Sequence, residues 1–165
     1  MVIFLDIFQL ISIISFVLSS YLTLNKIFQA KSHINIDTYA SYTVHDMIYV
    51  QAVIANHSSE PAMLINLNLS TSETDEVWSA TPFKKLIVSS VKGDRKLYSQ
   101  ALPINIPPKT ASSFYLAFEV GTNNVSHIME KDANLKFNLN GNYFDQVVNL
   151  KTVQSPVEKL SRELD

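Results

Sequence analysis

Cysteine is absent from the 165 residues, which excludes a disulfide scaffold, thiol catalysis and cysteine-ligated metal. Glycine is nearly as scarce: Gly93, Gly121 and Gly141 are the whole complement and stand isolated. Loops that cradle phosphate need glycines where backbone must approach the anion, so a nucleotide-binding loop is not expected. Charge of one sign is lacking too. The 13 Lys and Arg face 15 Asp and Glu for a net charge of −2, and no broad basic field exists to hold a nucleic acid.

Catalytic and metal patterns are missing in the same way. His33, His45, His57 and His127 are scattered without His-x-His or His-x-x-x-His spacing, and each reads as a surface or strand-end histidine because ligation needs converging partners. The local pairs are His45-Asp46 and His57 with Glu60, which strand-end loops could bring together. Glu73, Asp75 and Glu76 lack the alternating ligands and turn glycine of a calcium loop and read as a solvated acidic loop. No Gly-x-Ser-x-Gly elbow accompanies the many serines. The expectation is a non-enzymatic protein without a cofactor.

What is present is an apolar start. Ile7 to Leu24, IFQLISIISFVLSSYLTL, contains no Lys, Arg, Asp or Glu, and as a helix it is about 27 Å long against roughly 30 Å of hydrocarbon. The preceding MVIFLD lacks the basic n-region of a cleaved signal, so an uncleaved transmembrane anchor is expected. Gln9, Ser12, Ser15, Ser19, Ser20 and Thr23 fall on one half of that helix, a face for packing on another membrane helix or on a second copy. The bland alternative is that the hydroxyls bond their own i−4 carbonyls. Lys26 and Lys31 follow the span, which predicts an outward amino terminus and a cytoplasmic domain.

The domain plan is an anchor and stalk over 1–31, a β-sandwich over 32–153 and a tail over 154–165. Alternation at Ile34 and Ile36 stops at Tyr39 to Thr43. Asp46 to Asn56 is the first long strand, with Ile48, Val50, Ala52 and Ile54 on one face. Met47, Tyr49 and Val53 on the other suggest cover on both sides. Leu64 to Ser70 places Ile65, Leu67 and Leu69 inward. Val77 to Thr81 reads as a short edge strand before Pro82. Leu86 to Val91 and Leu97 to Leu102 flank a KGDRK hairpin loop. Ser113 to Val120 is expected to be a central strand and Val125 to Lys131 a short helix. Leu135 to Asn140 and Phe144 to Val153 face each other across Asn140-Gly141. Ser155-Pro156-Val157-Glu158 reads as a capping box opening a short helix.

About seven or eight short strands separated by turn signals, with no intervening helices, indicate a mainly β chain, one antiparallel immunoglobulin-like sandwich, with a closed barrel as second choice. Val53 to Pro61, VIANHSSEP, is similar to the N-x-S-x-x-P passage of bacterial immunoglobulin-like accessory domains. Leu102-Pro103-Ile104-Asn105-Ile106-Pro107, followed by Ser112-Ser113-Phe114, resembles a passage of small bacterial proteins with one amino-terminal membrane helix and one such domain. The resemblance implies fold and tethering and supplies no active site. Lys84, Lys85, Lys92, Arg95 and Lys96 form basic loops that read either as contacts to anionic lipid or as ordinary solubilising charge. The functional expectation is a membrane-tethered interaction module at the cytoplasmic face. The alternatives are an external sandwich binding cell-wall or surface components, and an enzyme with an unrecognised site.

Overall fold

The computed structural model describes residues 11–24, 34–72 and 76–165. The chain divides into two compact units, Met1–His33 and Ile34–Asp165. In the first, a helix α1 runs over 11–24, and its Ile11, Ile14, Phe16, Leu18 and Leu22 side chains are exposed. Among the described residues no helix is long and apolar enough to cross a membrane. Residues 7–10 of the expected span, with Asp6, Lys26 and Lys31, lie outside the described residues.

The second unit is mainly β and antiparallel. β1 (Ile34–Val44), β2 (Met47–Asn56) and β8 (Thr110–Glu119) form one sheet in the order β1-β2-β8. β3 (Ala62–Thr71), β4 (Val77–Ser79), β9 (Asp132–Leu139) and β10 (Asn142–Asn149) form another, ordered β10-β9-β3-β4. β7 (Ile104–Ile106) also pairs with β3, on the side away from β9, since Leu64 partners both Ile104 and Leu139. β5 (Leu86–Ser89) and β6 (Lys96–Tyr98) make a separate hairpin. The helices of this unit are α2 (Thr122–Met129), α3 (Leu150–Val153) and α4 (Val157–Glu163).

Period-two alternation explains the core. Ile48, Val50, Ala52 and Ile54 of β2 meet Leu116 and Phe118 of β8, Leu64, Leu67 and Leu69 of β3, and Leu135, Phe137 and Leu139 of β9 in one cluster. Two sheets thus share one apolar layer, an arrangement consistent with a β-sandwich. The opposite face of the β2 sheet is covered as well. Tyr42, Met47, Tyr49 and Ala117 pack with Ile87 of β5 and Leu160 of α4, so the two-sided cover expected from Met47 and Tyr49 is present.

Several expectations need correction. β1 continues through Tyr39 to Val44 because a bulge between Thr38 and Ala40 leaves Tyr39 as the extra residue, resetting the phase that alternation alone follows. A second bulge between Leu64 and Asn66 turns Ile65 outward and brings Leu64 into the core. β8 is an edge of its sheet in strand order, with β2 at the centre, although Phe118 is fully buried. Leu150–Val153 is helical, started by the Asn149 side chain accepting from Thr152 N. Ser155 caps nothing: Pro156 occupies the N-cap of α4 without a side-chain bond.

Candidate interaction surfaces

β10 presents the longest plain edge. Asn140 and Gly141 both have positive φ, 51° and 83°, the geometry of a two-residue type I′ turn, whose twist matches the flanking strands. That turn makes Leu139 and Asn142 a hydrogen-bonded pair, so by the antiparallel alternation Tyr143, Asp145 and Val147 aim their backbone N–H and C=O groups away from β9. Register along β10 is unbroken, and the strand NYFDQVVN contains neither Pro nor Lys, the devices that commonly blunt an edge. Tyr143 and Val147 are 61% and 72% exposed, and Lys136 lies 5.1 Å from the Tyr143 ring centre.

Other edges are covered over part of their length. The second half of β1 is met by α3 and the segment after it, through Ser41 Oγ donating to Leu150 O at 3.0 Å and Ser155 N donating to Ser41 O at 2.9 Å. Beyond β8, Thr81 N donates to Ala117 O and Gln100 N to Tyr115 O, both at 2.7 Å. Sequence alternation located the β10 strand but not its edge position, which depends on pairing order.

The face of the β3–β9 sheet turned from the core is rich in amides. Asn66 Nδ2 donates to Asn68 Oδ1 at 3.2 Å, Ser79 Oγ donates to the same oxygen at 2.9 Å, and Asn149 Nδ2 donates to Asp132 Oδ1 at 2.7 Å. Asn134 Oδ1 on this face is buried without a partner among the described residues.

The structure separates residues that the sequence left within reach of one another. His45 precedes β2 and His57 follows it, and the ten-residue strand holds them roughly 30 Å apart, so the His45-Asp46 and His57-Glu60 pairs do not meet. His45 adopts φ 55° and lines an open cleft of about 380 Å³ with Thr43, Thr122, Ser126, Glu130 and Lys151. Among the described residues no cluster of His, Asp and Glu could hold a metal ion. His33, Glu73 and Asp75 lie outside the described residues, and Glu76 is exposed before β4.

Lys84 and Lys85 stand at the open end of the β5–β6 hairpin and Lys92, Arg95 and Lys96 at its tip. Lys85 Nζ lies 3.8 Å from Glu119 Oε2, and Arg95 Nη1 donates to Leu164 O at 3.1 Å. In α1, Ser12, Ser15, Ser19 and Thr23 are exposed, and Thr23 Oγ1 donates to Ser19 O at 2.8 Å, as in the own-backbone reading. Gln9 lies outside the described residues.

No protein-family model matches the chain, and no curated protein matches it. Among solved structures it is similar to the crystal structure of a protein from Archaeoglobus fulgidus, with TM-score 0.34 and 7% identity over 71% of this chain and 90% of that chain. A likeness this slight bears on neither fold family nor function.

Burial raises the pKa of three tyrosines around α4 and β5. Desolvation is the largest cause at Tyr42, Tyr49 and Tyr115. Neighbouring Tyr115 and Glu163 add to it at Tyr42, Asp46 at Tyr49, and Glu163 at Tyr115. These side chains fasten the third layer: Tyr49 Oη donates to Leu86 O at 3.0 Å, and the Tyr42 and Tyr115 rings lie 6.2 Å apart.

Proposed function

We propose that this protein is a single-pass membrane-tethered module whose immunoglobulin-like β-sandwich binds a protein partner at the cytoplasmic face and performs no catalysis. The observation that carries the reading is the β10 edge, where three outward-facing residues have backbone groups without partners among the described residues. An extended segment of the partner adds as a further strand, its backbone pairing with Tyr143, Asp145 and Val147. Tethering raises the local concentration, so modest affinity suffices. The apolar run from Ile7 to Leu24 and the lysines after it support tether and orientation.

The test is crosslinking in native membranes with wild type and Val147→Pro. Proline at 147 removes an outward N–H and leaves the β9 pairing, because Val147 sits at a non-hydrogen-bonded position. The partner band is expected to fall at least tenfold with the fold retained. An unchanged band sinks the strand-addition reading.

The amide face around Asn68 and Asn134 favours a second reading, an external sandwich binding surface polysaccharide. Protease added to intact cells separates the two. Digestion of the β domain contradicts the cytoplasmic reading, and protection contradicts the external one.

A further inference from the structure

The segment from Phe83 to Tyr98 carries Lys84, Lys85, Lys92, Arg95 and Lys96 against a single acid, Asp94. Its formal charge is +4, which leaves −6 on the rest of a chain whose total is −2. The one acid is folded into the turn, its Oδ1 accepting from Ser90 Oγ at 2.8 Å. Ion pairs among the described residues engage Lys85 but none of Lys84, Lys92 or Lys96.

Apolar side chains are interleaved with these cations and exposed. Phe83 and Val91 are both 71% accessible, and Leu86 and Tyr98 nearly half so. A register shift between Leu86 and Val88, which lets two consecutive side chains face the same way, explains why they are not spent in the core. Ile87, Val88 and Leu97 point inward to the layer beneath, so the cross-strand pair Leu86 and Tyr98 faces out.

We infer that the β5–β6 hairpin is a lipid-contacting element: its lysines bind anionic headgroups of a bilayer while Phe83, Leu86, Val91 and Tyr98 enter the interface between them. Basic residues beside a membrane are drawn to anionic lipid, and aromatic and apolar side chains belong at the headgroup level. Charge complementarity selects this occupant, since five of the 13 Lys and Arg gather on this one hairpin segment while the rest of the chain sums to −6. A nucleic acid would use the cations but has no use for exposed Leu86 and Val91. The inference goes beyond tethering, because the hairpin contact forms whether the amino-terminal segment spans the bilayer or not.

The absence of cysteine makes the test clean. Full-length Val91→Cys, labelled with an environment-sensitive fluorophore, is incorporated into vesicles of phosphatidylcholine alone or with phosphatidylserine. A blue shift is expected only with phosphatidylserine and is reversed by high salt. The triple variant Lys84→Glu, Lys92→Glu, Lys96→Glu should abolish the shift, each cation being worth about fivefold in binding. A label at Ser59→Cys, in the turn after β2, should not respond. Equal emission in both lipids, or a shift that survives charge reversal in a variant that melts like wild type, overturns the inference. Alkaline extraction is read separately: release of the whole chain contradicts the tether and leaves the hairpin result standing.

Discussion

Asn56 holds the passage after β2 together from inside. It is 1% exposed; its Nδ2 donates to Glu60 O at 2.8 Å and Ile106 O at 3.2 Å, while its Oδ1 accepts from Ser58 N at 3.0 Å. The resemblance to an N-x-S-x-x-P passage rested on this residue, and the structure supplies a physical role for it. Asn56→Ala leaves buried backbone groups without partners and is expected to cost about 2–3 kcal/mol, read from urea denaturation. The tyrosines give a pH signature. Folded Tyr42, Tyr49 and Tyr115 hold their protons above the ordinary value of 10.0, so at alkaline pH the native state binds more protons than the unfolded one and stability falls as pH rises. Their contribution is fully present below about pH 10 and is lost as pH climbs through the raised folded values. Melting temperature should therefore drop above about pH 10, and Tyr42→Phe with Tyr115→Phe should flatten that drop.

At the scale of elements, legibility followed the reach of local signals. β2 and the β9–β10 hairpin were readable because alternation and the Asn140-Gly141 turn act within a few residues. The bulges at Tyr39 and Ile65 were not, because an extra residue reverses the face of every later side chain and only the partner strand reveals it. Leu150–Val153 looked like a strand because its apolar spacing suits either state, and Asn149 decided for helix. α4 is too short to persist alone and stands on docking: Leu160 is buried, and Ser161 Oγ donates to Ser89 O at 2.7 Å. Leu160→Ala is expected to cost about 2 kcal/mol and to make the residues after Val153 the first protease site. Gly141→Ala puts a Cβ at φ 83° and should destabilise the β9–β10 hairpin by about 1 kcal/mol, measured by thermal melting.

For the whole molecule, the sequence indicated a mainly antiparallel β chain of one core, and the second unit has that core. The third layer of hairpin and helix was foreshadowed only by Met47 and Tyr49 on the far face of β2. The candidate surfaces were partly visible: the basic residues could be counted, but the apolar side chains exposed beside them and the open edge of β10 follow from packing and pairing order. The β10 edge is the proposed docking site for the partner. The most direct measurement is photo-crosslinking in native membranes from a benzophenone amino acid at position 147, with one at His45 as control. A discrete protein adduct from position 147 and none from position 45 is the predicted result; no adduct from position 147, or the same adducts from both positions, would contradict it.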